Sequence, residues 1–365
     1  MKSGLVLYDF LAARGGAEAV FLNIIDALPN SRGATAFVRE GLFDSTLLRR
    51  VSVISRPTKS RYLWALTLPS TFLFATKVIR PGDRWIIFTG IYTPFLALTS
   101  GAQFKILYCH TPPRFSTDLR QHYRTSLPAL LRPFFDIYCS LFSNAYGRAL
   151  RQMNVVIANS ENVRTRLKKY FDVDATVLYP PIYIDKFENL GDEGYYLSTA
   201  RLEDYKRVDL IIEAFKLMPT KRLIVTSGGS KAEALQRLAE RSPNIQFTGW
   251  VTSQELSELV GRCTATIYIP IDEDFGISPV ESQAAGKPVI GVNDGGLKET
   301  ILHGETGILL DAEVTPTTIA SAVLALEALP KDAVRMSCLK NAKRFSTSVF
   351  NETLRRLTDE CDRPR

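Results

Sequence analysis

The sequence predicts an α/β protein built from two doubly wound domains, and three observations lead to this prediction. Short apolar runs alternate with longer helical patterns along the 365 residues, which is typical of parallel sheets flanked by helices. Several runs are apolar throughout, as expected for strands covered on both faces. The alternation stops at Phe187–Gly194, where Gly, Asn, Asp and Glu break both periods, and then restarts.

Six strands are predicted in each half of the chain. In the first half they are Gly4–Tyr8, Ala34–Val38, Arg84–Phe88, Lys105–Tyr108, Val155–Ala158 and Ala175–Leu178. In the second half they are Tyr195–Thr199, Leu223–Thr226, Ile245–Phe247, Ala265–Tyr268, Pro288–Gly291 and Gly307–Leu309. The clearest helices between them are Ala17–Leu28, Glu161–Tyr170 capped by Ser160, Asp209–Leu217, Lys231–Ala239, Ser253–Gly261 and Pro279–Ala285. Residues 62–79 are apolar but contain Pro69 and several polar side chains, so we expect a buried or interfacial helix and not a membrane span.

The domain boundaries follow from this pattern. We place an N-terminal domain at residues 1–187, a C-terminal domain at residues 195–344, and a final helix at residues 345–365 that frays at Cys361–Arg365. Ligands of open α/β sheets bind at the carboxyl ends of the strands, near the switch in strand order. Two such domains facing each other are expected to hold their ligand in the cleft between them.

The composition excludes several classes of protein. A hydrophobic content of 45% with 23% charged residues is ordinary for a soluble globular protein. The five cysteines are scattered and form no C-x-x-C pair, so neither a zinc site nor a disulfide framework is indicated and reduced cytoplasmic thiols are favoured. Residues 1–4 lead directly into a strand, which is not the pattern of a secretory signal peptide.

The excess positive charge lies in the first half of the chain. The net charge is +7, and residues 1–180 contain 23 Lys and Arg against 11 Asp and Glu, which leaves the remainder at −5. This asymmetry predicts that the first half meets an anionic surface such as a lipid membrane. A solubilising surface is one alternative. Nucleic acid is another, but no recognition helix, finger spacing or RNP-like aromatic cluster is present in the sequence, so no nucleic-acid partner is predicted.

The stretch from Glu273 to Glu281 is the most informative part of the sequence. Ser278 and Glu281 have the spacing of a capping box, and Pro279 suits the first helical position. The resulting helix is expected to end at Gly286 in a left-handed conformation. One alternative is therefore that Glu281 only caps its helix, and another is that Glu273 is only a solvated loop acid.

The same stretch also predicts chemistry. The amides of Gly276, Ile277 and Ser278 are expected to face outward from a helix N-terminus, where the dipole favours an anion such as phosphate. The carboxylates of Glu273 and Glu281 flank this position and can accept hydrogen bonds from sugar or ribose hydroxyls.

Two cations lie on the loop that follows the strand Tyr195–Thr199. Arg201 offers a planar fork and Lys206 a point charge, a combination suited to a diphosphate. The alternative is a solvated basic loop, since Glu203 and Asp204 lie between them. No metal site is predicted at the acidic run 272–274, because adjacent acids on one loop rarely hold a hard cation alone.

Two further candidates lie in the first half. Gly15 and Gly16 follow the first strand and allow a ligand to approach the backbone at a helix N-terminus, although a plain turn explains them equally well. They match neither the dinucleotide fingerprint nor the P-loop. His110 ends a strand and precedes a loop stiffened by Pro112 and Pro113. A structural role in that turn is the alternative to a functional one.

Taken together, these motifs resemble one known family. They are Gly15-Gly16-Ala17-Glu18, Tyr108-Cys109-His110-Thr111-Pro112, Val156-Ile157-Ala158-Asn159-Ser160, Ala200-Arg201-Leu202 with Lys206-Arg207, and the pair Glu273 and Glu281. Their order and spacing resemble the retaining glycosyltransferases of family 4, whose GT-B fold has two Rossmann-like domains facing across a cleft. The motifs around His110 and Glu273 look most like those of bacterial mannosyltransferases of O-antigen and exopolysaccharide assembly.

The resemblance implies roles for these residues. Arg201 and Lys206 would hold the diphosphate of a nucleotide sugar, with Gly15 and Gly16 lying against it, and Glu281 would bind the ribose. Glu273 and the amides of Phe275, Gly276 and Ile277 would orient the transferred sugar, and His110 would hydrogen-bond it near the reacting carbon. The anomeric configuration would be retained, without a metal ion or other cofactor. The helix at residues 345–365 would pack back on the N-terminal domain.

The expected reaction is transfer of a hexose, with mannose from GDP-mannose as the leading donor, to a lipid-linked or oligosaccharide acceptor. It would take place at the cytoplasmic face of the membrane, with the protein bound peripherally. Residues 91–94 and 41–80 depart from the family pattern in the acceptor-side domain, so the acceptor stays open. The alternatives are a UDP-sugar, GDP-fucose or rhamnose donor, a nucleotide-sugar epimerase of similar build, and a silent nucleotide-binding scaffold.

Overall fold

The computed structural model describes residues 3–13, 15–43, 45–56 and 61–360. Arg14 of the glycine motif and the predicted frayed end at Cys361–Arg365 therefore lie outside the described residues. The described chain divides into two compact units, residues 3–179 with 350–360, and residues 180–349.

The first unit is built on a parallel sheet. Within its described residues the strands are β1 (Ser3–Tyr8), β2 (Ser31–Thr35), β3 (Val51–Val53), β4 (Asp83–Phe88), β5 (Phe104–Cys109), β6 (Val155–Ala158) and β7 (Thr176–Val177). They lie in the order β3-β2-β1-β4-β5-β6-β7, and all neighbours are parallel. The strand order reverses between β1 and β4, which is where ligands of such sheets bind.

Helices of the first unit cover this sheet. They are α1 (Gly16–Ala27), α2 (Ser45–Leu48), α3 (Arg61–Leu73), α4 (Arg120–Thr125), α5 (Arg132–Leu150) and α6 (Glu161–Phe171). Short 3-10 turns lie at Ala75–Val78, Thr93–Leu98, Arg114–Ser116 and Ala129–Leu131. The predicted cap of α6 is confirmed, because the Ser160 hydroxyl accepts a hydrogen bond from the Val163 amide at 3.0 Å. The predicted apolar helix is present as α3, with Pro69 inside it.

The second strand differs from its prediction. The sequence suggested Ala34–Val38, but β2 begins at Ser31, and Val38 makes only an isolated bridge to Leu11. Helix α1 packs so closely that a Cβ on Gly33 would lie 2.5 Å from the Ile25 side chain. A glycine is therefore needed inside the strand, and its flanking polar residues hid the strand from the hydrophobic pattern. The short edge strand β3 was missed as well.

The second unit repeats the architecture. In residues 180–349 the strands are β8 (Tyr195–Ser198), β9 (Arg222–Thr226), β10 (Ile245–Gly249), β11 (Ala265–Tyr268), β12 (Val289–Val292) and β13 (Gly307–Leu310). They are parallel in the order β10-β9-β8-β11-β12-β13, so the order reverses between β8 and β11. The strands predicted for this half are confirmed apart from small differences at their ends.

The helices of the second unit lie between these strands and after them. They are α7 (Val208–Lys216), α8 (Ala232–Ala239), α9 (Ser253–Arg262), α10 (Ile277–Ala284), α11 (Leu297–Thr300), α12 (Pro316–Glu327) and α13 (Lys331–Ala342), with 3-10 turns at Ile184–Lys186, Asp204–Lys206 and Lys343–Phe345. Both units thus have the strand order of a doubly wound Rossmann-like domain, and the predicted fold class is confirmed.

Two contacts define the ends of the units. The Ile182 amide donates to the Phe345 carbonyl at 2.9 Å, so the second unit begins at Pro180, ahead of the predicted seam at residues 187–194. The last helix, α14 (Thr347–Glu360), belongs to the first unit from Phe350 onward. There the Phe350 ring meets the Tyr108 ring edge-on at 5.6 Å, inside the core. In the described part of the chain, no helix combines the length and the apolarity that a membrane crossing requires.

Candidate functional site

In the second unit, two loops leave the sheet at the point where the strand order reverses. The loop after β8 carries Lys206, and the loop after β11 carries Glu273. The Lys206 ammonium lies 2.5 Å from a Glu273 carboxylate oxygen and donates to the Tyr268 hydroxyl at 2.8 Å. Lys206 is only 6% exposed. The fold therefore brings two of the residues singled out from the sequence into direct contact.

Tyr268 completes this cluster and was missed by the sequence analysis. It is the last residue of β11, its ring is buried, and its hydroxyl also hydrogen-bonds Glu273. Burial and the Glu273 charge hold the pKa of Tyr268 well above its ordinary value, so the hydroxyl stays protonated. An aromatic residue in an apolar strand is usually core. Its position at the carboxyl end of the strand before the Glu273 loop was the one available signal.

Backbone contacts hold the two loops together. Arg207 adopts a left-handed conformation with φ of 53°, and its guanidinium donates to the Ile269 carbonyl at 2.7 Å. The Ile271 amide donates to the Tyr205 carbonyl at 2.8 Å. These bonds join the residues on either side of Lys206 to the start of the loop that carries Glu273.

The acids beside Arg201 and Lys206 are engaged elsewhere. Glu203 accepts hydrogen bonds from the Ser230 hydroxyl at 2.6 Å and the Ser230 amide at 3.1 Å, which lower the pKa of Glu203. Asp204 pairs with Lys231 at 3.0 Å. Arg201 itself is exposed. The alternative in which Glu203 and Asp204 neutralise the basic loop is therefore disfavoured, because both acids bind residues of the loop that follows β9.

The structure corrects the predicted start of helix α10. The helix begins at Ile277, and Gly276 is its N-cap with φ of 91°, so the Ser278–Glu281 capping box does not form. Pro279 lies in the first turn, where backbone amides have no helical acceptor, and is tolerated there. The predicted end is confirmed, since Gly286 is left-handed with φ of 70°.

This correction changes what Glu281 does. The carboxyl lies beyond the first turn of α10 and is partly buried. Burial raises the pKa of Glu281 to about 7, and the Lys186 ammonium acts in the opposite direction. The helix that carries it is held to β11 by a hydrogen bond from Thr266 to Ser282 at 2.9 Å. Because Glu281 makes no cap, the alternative that it only caps its helix is wrong.

A third loop, which follows β12, packs against the backbone of Glu273. The sequence analysis missed this loop as well. A Cβ on Gly295 would lie 2.4 Å from the Glu273 carbonyl, and one on Gly296 would lie 2.5 Å from the Asp274 carbonyl. The Gly296 amide donates to the Glu273 carbonyl at 2.8 Å. The two glycines thus let backbone pack on backbone. A Gly-Gly pair in the loop after a strand, as at residues 15–16, was the one sequence signal for them.

Of the other predicted positions in this stretch, Phe275 can contact a ligand only through its backbone. Its side chain is buried and meets the Phe345 ring edge-on at 5.4 Å. Gly276 is buried and Ile277 is partly buried at the start of α10. Among the residues that the structure describes, no group of His, Cys, Asp and Glu side chains could hold a metal ion.

In the first unit, His110 lies directly after β5, as predicted. Its ring meets the Tyr108 ring edge-on at 5.1 Å and the Tyr8 ring at 6.4 Å. Burial lowers the pKa of His110 to about 4, so the imidazole is neutral near pH 7. Its Nε2 atom is buried and has no hydrogen-bond partner among the described residues. A buried polar atom without a partner is unfavourable for stability and calls for an explanation, and a bound ligand is one.

The glycine motif lies at the carboxyl end of β1. Helix α1 begins at Gly16, and Gly15 is its N-cap in extended backbone. A Cβ on Gly15 would lie 2.7 Å from a carboxylate oxygen of Glu18, which also hydrogen-bonds the Tyr8 hydroxyl. Because this atom is the end of a flexible side chain that can move aside, the contact does not by itself require glycine at position 15.

Asp9 is a further polar residue at this edge that the sequence analysis missed. Its two carboxylate oxygens accept hydrogen bonds from the amides of Ile91, Tyr92 and Thr93 at 2.7 to 3.1 Å. Burial raises the pKa of Asp9 to about 6, although these amides stabilise its charged form. Asp9 therefore fixes the loop after β4 that departs from the family pattern.

Comparison with known proteins identifies relatives of the chain. Residues 182–345 match the family described as Glycosyl transferases group 1. The alpha-1,3/1,6-mannosyltransferase ALG2 of Dictyostelium discoideum is 26% identical over 57% of this chain and 59% of its own length. The GDP-mannose-dependent alpha-(1-6)-phosphatidylinositol monomannoside mannosyltransferase of Mycolicibacterium smegmatis is 28% identical over 53% of this chain and 58% of its own length. The chain thus spans less than two thirds of these relatives.

A solved structure gives the same fold over nearly the whole chain. Anabaena Alr3699/HepE in complex with UDP-glucose covers 98% of this chain and 99% of its own, with a TM-score of 0.74 and 16% identity. This likeness confirms the GT-B type of fold.

Proposed function

We propose that the protein transfers a hexose from a nucleotide sugar to a lipid-linked or oligosaccharide acceptor, and the match of residues 182–345 to the group 1 glycosyltransferases supports this. The observation that carries the proposal is the Lys206–Tyr268–Glu273 cluster at the strand-order switch of the second sheet. Nucleotide ligands of doubly wound sheets bind at such a switch.

The cluster suits the departure of a nucleoside diphosphate. Negative charge develops on the leaving diphosphate, and cations held in place before the reaction stabilise it most effectively. Lys206 is held by Glu273 and Tyr268, so its ammonium needs little reorganisation. The exposed Arg201 adds a planar fork suited to phosphate oxygens.

The remaining residues are assigned to the sugar and the ribose. Glu273 and the amides of Phe275, Gly276 and Ile277 orient the transferred sugar, while Glu281 accepts hydrogen bonds from the ribose hydroxyls. In the first unit, the Nε2 atom of the neutral His110 imidazole is assigned to a hydrogen bond with the sugar. Gly15 and Gly16 are assigned to the diphosphate.

We further propose that configuration is retained and that no metal ion takes part, since Arg201 and Lys206 can supply the required positive charge. If this is correct, transfer measured after dialysis against EDTA should be unchanged. A loss of transfer that Mg²⁺ or Mn²⁺ restores would contradict it.

Mannose from GDP-mannose is the donor we favour. Both curated relatives are named as mannosyltransferases, and the one from M. smegmatis is named as GDP-mannose-dependent. The name of that relative also includes phosphatidylinositol monomannoside, which supports a lipid-linked acceptor. We place the protein peripherally on the cytoplasmic face of the membrane, bound through its basic first half. Membership of family 4 and a role in O-antigen or exopolysaccharide assembly stay predictions.

A UDP-sugar is the second candidate donor, because the structural neighbour HepE was solved with UDP-glucose. A thermal-shift panel of GDP, UDP, GDP-mannose and UDP-glucose separates the two, since a ligand that binds only the folded state raises the unfolding midpoint. Selective stabilisation by GDP and GDP-mannose supports the proposal, and selective stabilisation by UDP overturns the donor. If no nucleotide shifts the midpoint, the glycosyltransferase assignment itself is contradicted.

A further inference from the structure

Helix α5 of the first unit is apolar on two opposite faces. Its inner face, formed by Cys139, Phe142, Tyr146 and Leu150, is buried in the core of the first unit. Its outer face and the turn before it carry four exposed residues, Leu130 at 81%, Phe134 at 67%, Ile137 at 59% and Leu141 at 65% exposure. We call these four residues the α5 stripe.

The α5 stripe has the spacing of one helix face. Its three members on α5 are separated by three and four residues, so they form a line about 10 Å long at the helical rise of 1.5 Å per residue, and Leu130 lies in the 3-10 turn just before the helix. The outer face of a surface helix is normally polar. Since the inner face already supplies the packing of α5, the stripe is not needed for the fold, and an exposed apolar strip of this kind marks an interaction surface.

The charges around the stripe favour an anionic partner. Arg120 and Arg124 on α4 both bind Asp136, which precedes Ile137 on α5, at 3.1 and 2.9 Å. Two guanidinium groups thus neutralise the one acid of α5 and leave an excess positive charge beside the stripe. Between residues 45 and 135 the sequence carries thirteen Lys and Arg but only two acids, Asp83 and Asp118.

A neighbouring helix presents more apolar surface. The Tyr138 hydroxyl of α5 donates to the Ala65 carbonyl of α3, so the two helices touch at this point. Helix α3 exposes Leu63 and Leu66 on either side of Ala65. The sequence from position 45 to position 82, which contains α3, has no acidic residue.

We propose that the α5 stripe inserts into the interfacial region of an anionic lipid bilayer, with Arg120 and Arg124 facing the lipid headgroups. A helix with apolar side chains on one face and Arg beside them lies in the plane of such an interface, where apolar burial and attraction to anionic lipid both contribute. This inference rests on the membrane association proposed above and names the surface responsible for it.

Vesicle sedimentation tests the proposal on the full chain without any nucleotide sugar. We compare the triple variant Phe134→Ser, Ile137→Ser, Leu141→Ser with the control Leu217→Ser, Leu324→Ser, Met336→Ser, whose native side chains are equally exposed in the second unit. On vesicles of equal parts phosphatidylglycerol and phosphatidylcholine, we expect the stripe variant to partition about a hundredfold more weakly than the native chain. The control should bind as the native chain does. Salt should weaken native binding without abolishing it.

Three results would overturn the proposal. They are native protein that does not bind the vesicles, a stripe variant that binds as well as the native chain, and a native dimer that the stripe substitutions dissociate without any vesicle binding. Thermal unfolding and the nucleotide-induced midpoint shift are measured on both variants. A retained nucleotide shift without vesicle binding rejects the membrane association and its surface but not the transfer reaction, whereas vesicle binding without any nucleotide shift rejects only the proposed transfer reaction.

Discussion

The polar side chains at the carboxyl ends of the strands have different surroundings in the two sheets. In the first unit, Asp9 and the Nε2 atom of His110 are buried without an opposite charge, so desolvation shifts the pKa values of these residues toward the neutral forms, to about 6 and about 4. In the second unit, Lys206 and Glu273 are brought into contact as an ion pair. The first edge thus carries a neutral imidazole and a carboxyl group that holds a loop, whereas the second edge carries an ion pair whose position is fixed. This division predicts that substitutions at the second edge act on turnover, and that those at the first act on stability or sugar binding.

The largest expected effect is the loss of the ion pair. Lys206→Ala and Glu273→Ala should each reduce kcat/KM for sugar transfer by more than about a thousandfold, because the leaving diphosphate loses a fixed cation and the sugar loses its carboxylate. The control is Lys231→Ala, which breaks only the solvent-exposed pair with Asp204. Near-native turnover of either site variant, with folding intact, would refute the assignment.

At the first edge, the largest effect is expected on stability. Asp9→Ala leaves three amides without their acceptor and should lower the free energy of unfolding by about 3 kcal/mol. Since the Asp9 pKa is raised from 3.8 to about 6 in the folded state, its charged form is disfavoured there, and its contribution to stability falls as pH rises through this window. Urea unfolding of Asp9→Ala, beside Asp174→Ala at an exposed position, measures the effect. Equal midpoints for the two variants would contradict it.

A smaller effect on kcat is expected at Tyr268, where one substitution distinguishes the role of the hydroxyl in positioning Lys206 and Glu273 from the packing of the ring. Tyr268→Phe keeps the buried ring but removes the hydroxyl shared by Lys206 and Glu273, and we expect kcat to fall about thirtyfold, the value of a charge-assisted hydrogen bond. The control is Tyr195→Phe, which removes a buried hydroxyl bonded to the Leu259 carbonyl at 2.7 Å. If both variants lose the same activity, Tyr268 has no special role.

The two edges also differ in how well the sequence predicted them. Lys206 and Glu273 could be found because charged residues in short loops between strongly apolar strands stand out. Asp9 could not, since its role depends on which loop the fold places against it, and the pair Gly295–Gly296 gave only the weak signal of two glycines in a loop after a strand. The capping box prediction also failed. Ser278 has cap chemistry, but Gly276 adopts a left-handed conformation and the helix begins directly after it, at Ile277.

The smallest effect concerns pH and Glu281. Its pKa is raised from 4.5 to about 7 by burial, so its contribution to stability falls as pH rises from about 4.5 to 7. A ribose donates hydrogen bonds to the ionised carboxylate, and binding of the nucleotide sugar should therefore tighten about fivefold from pH 6 to pH 8. Calorimetric titration of the native chain and of Glu281→Gln at both pH values checks this. The variant should bind more weakly but equally at both, and a native affinity independent of pH would show that Glu281 does not meet the ribose.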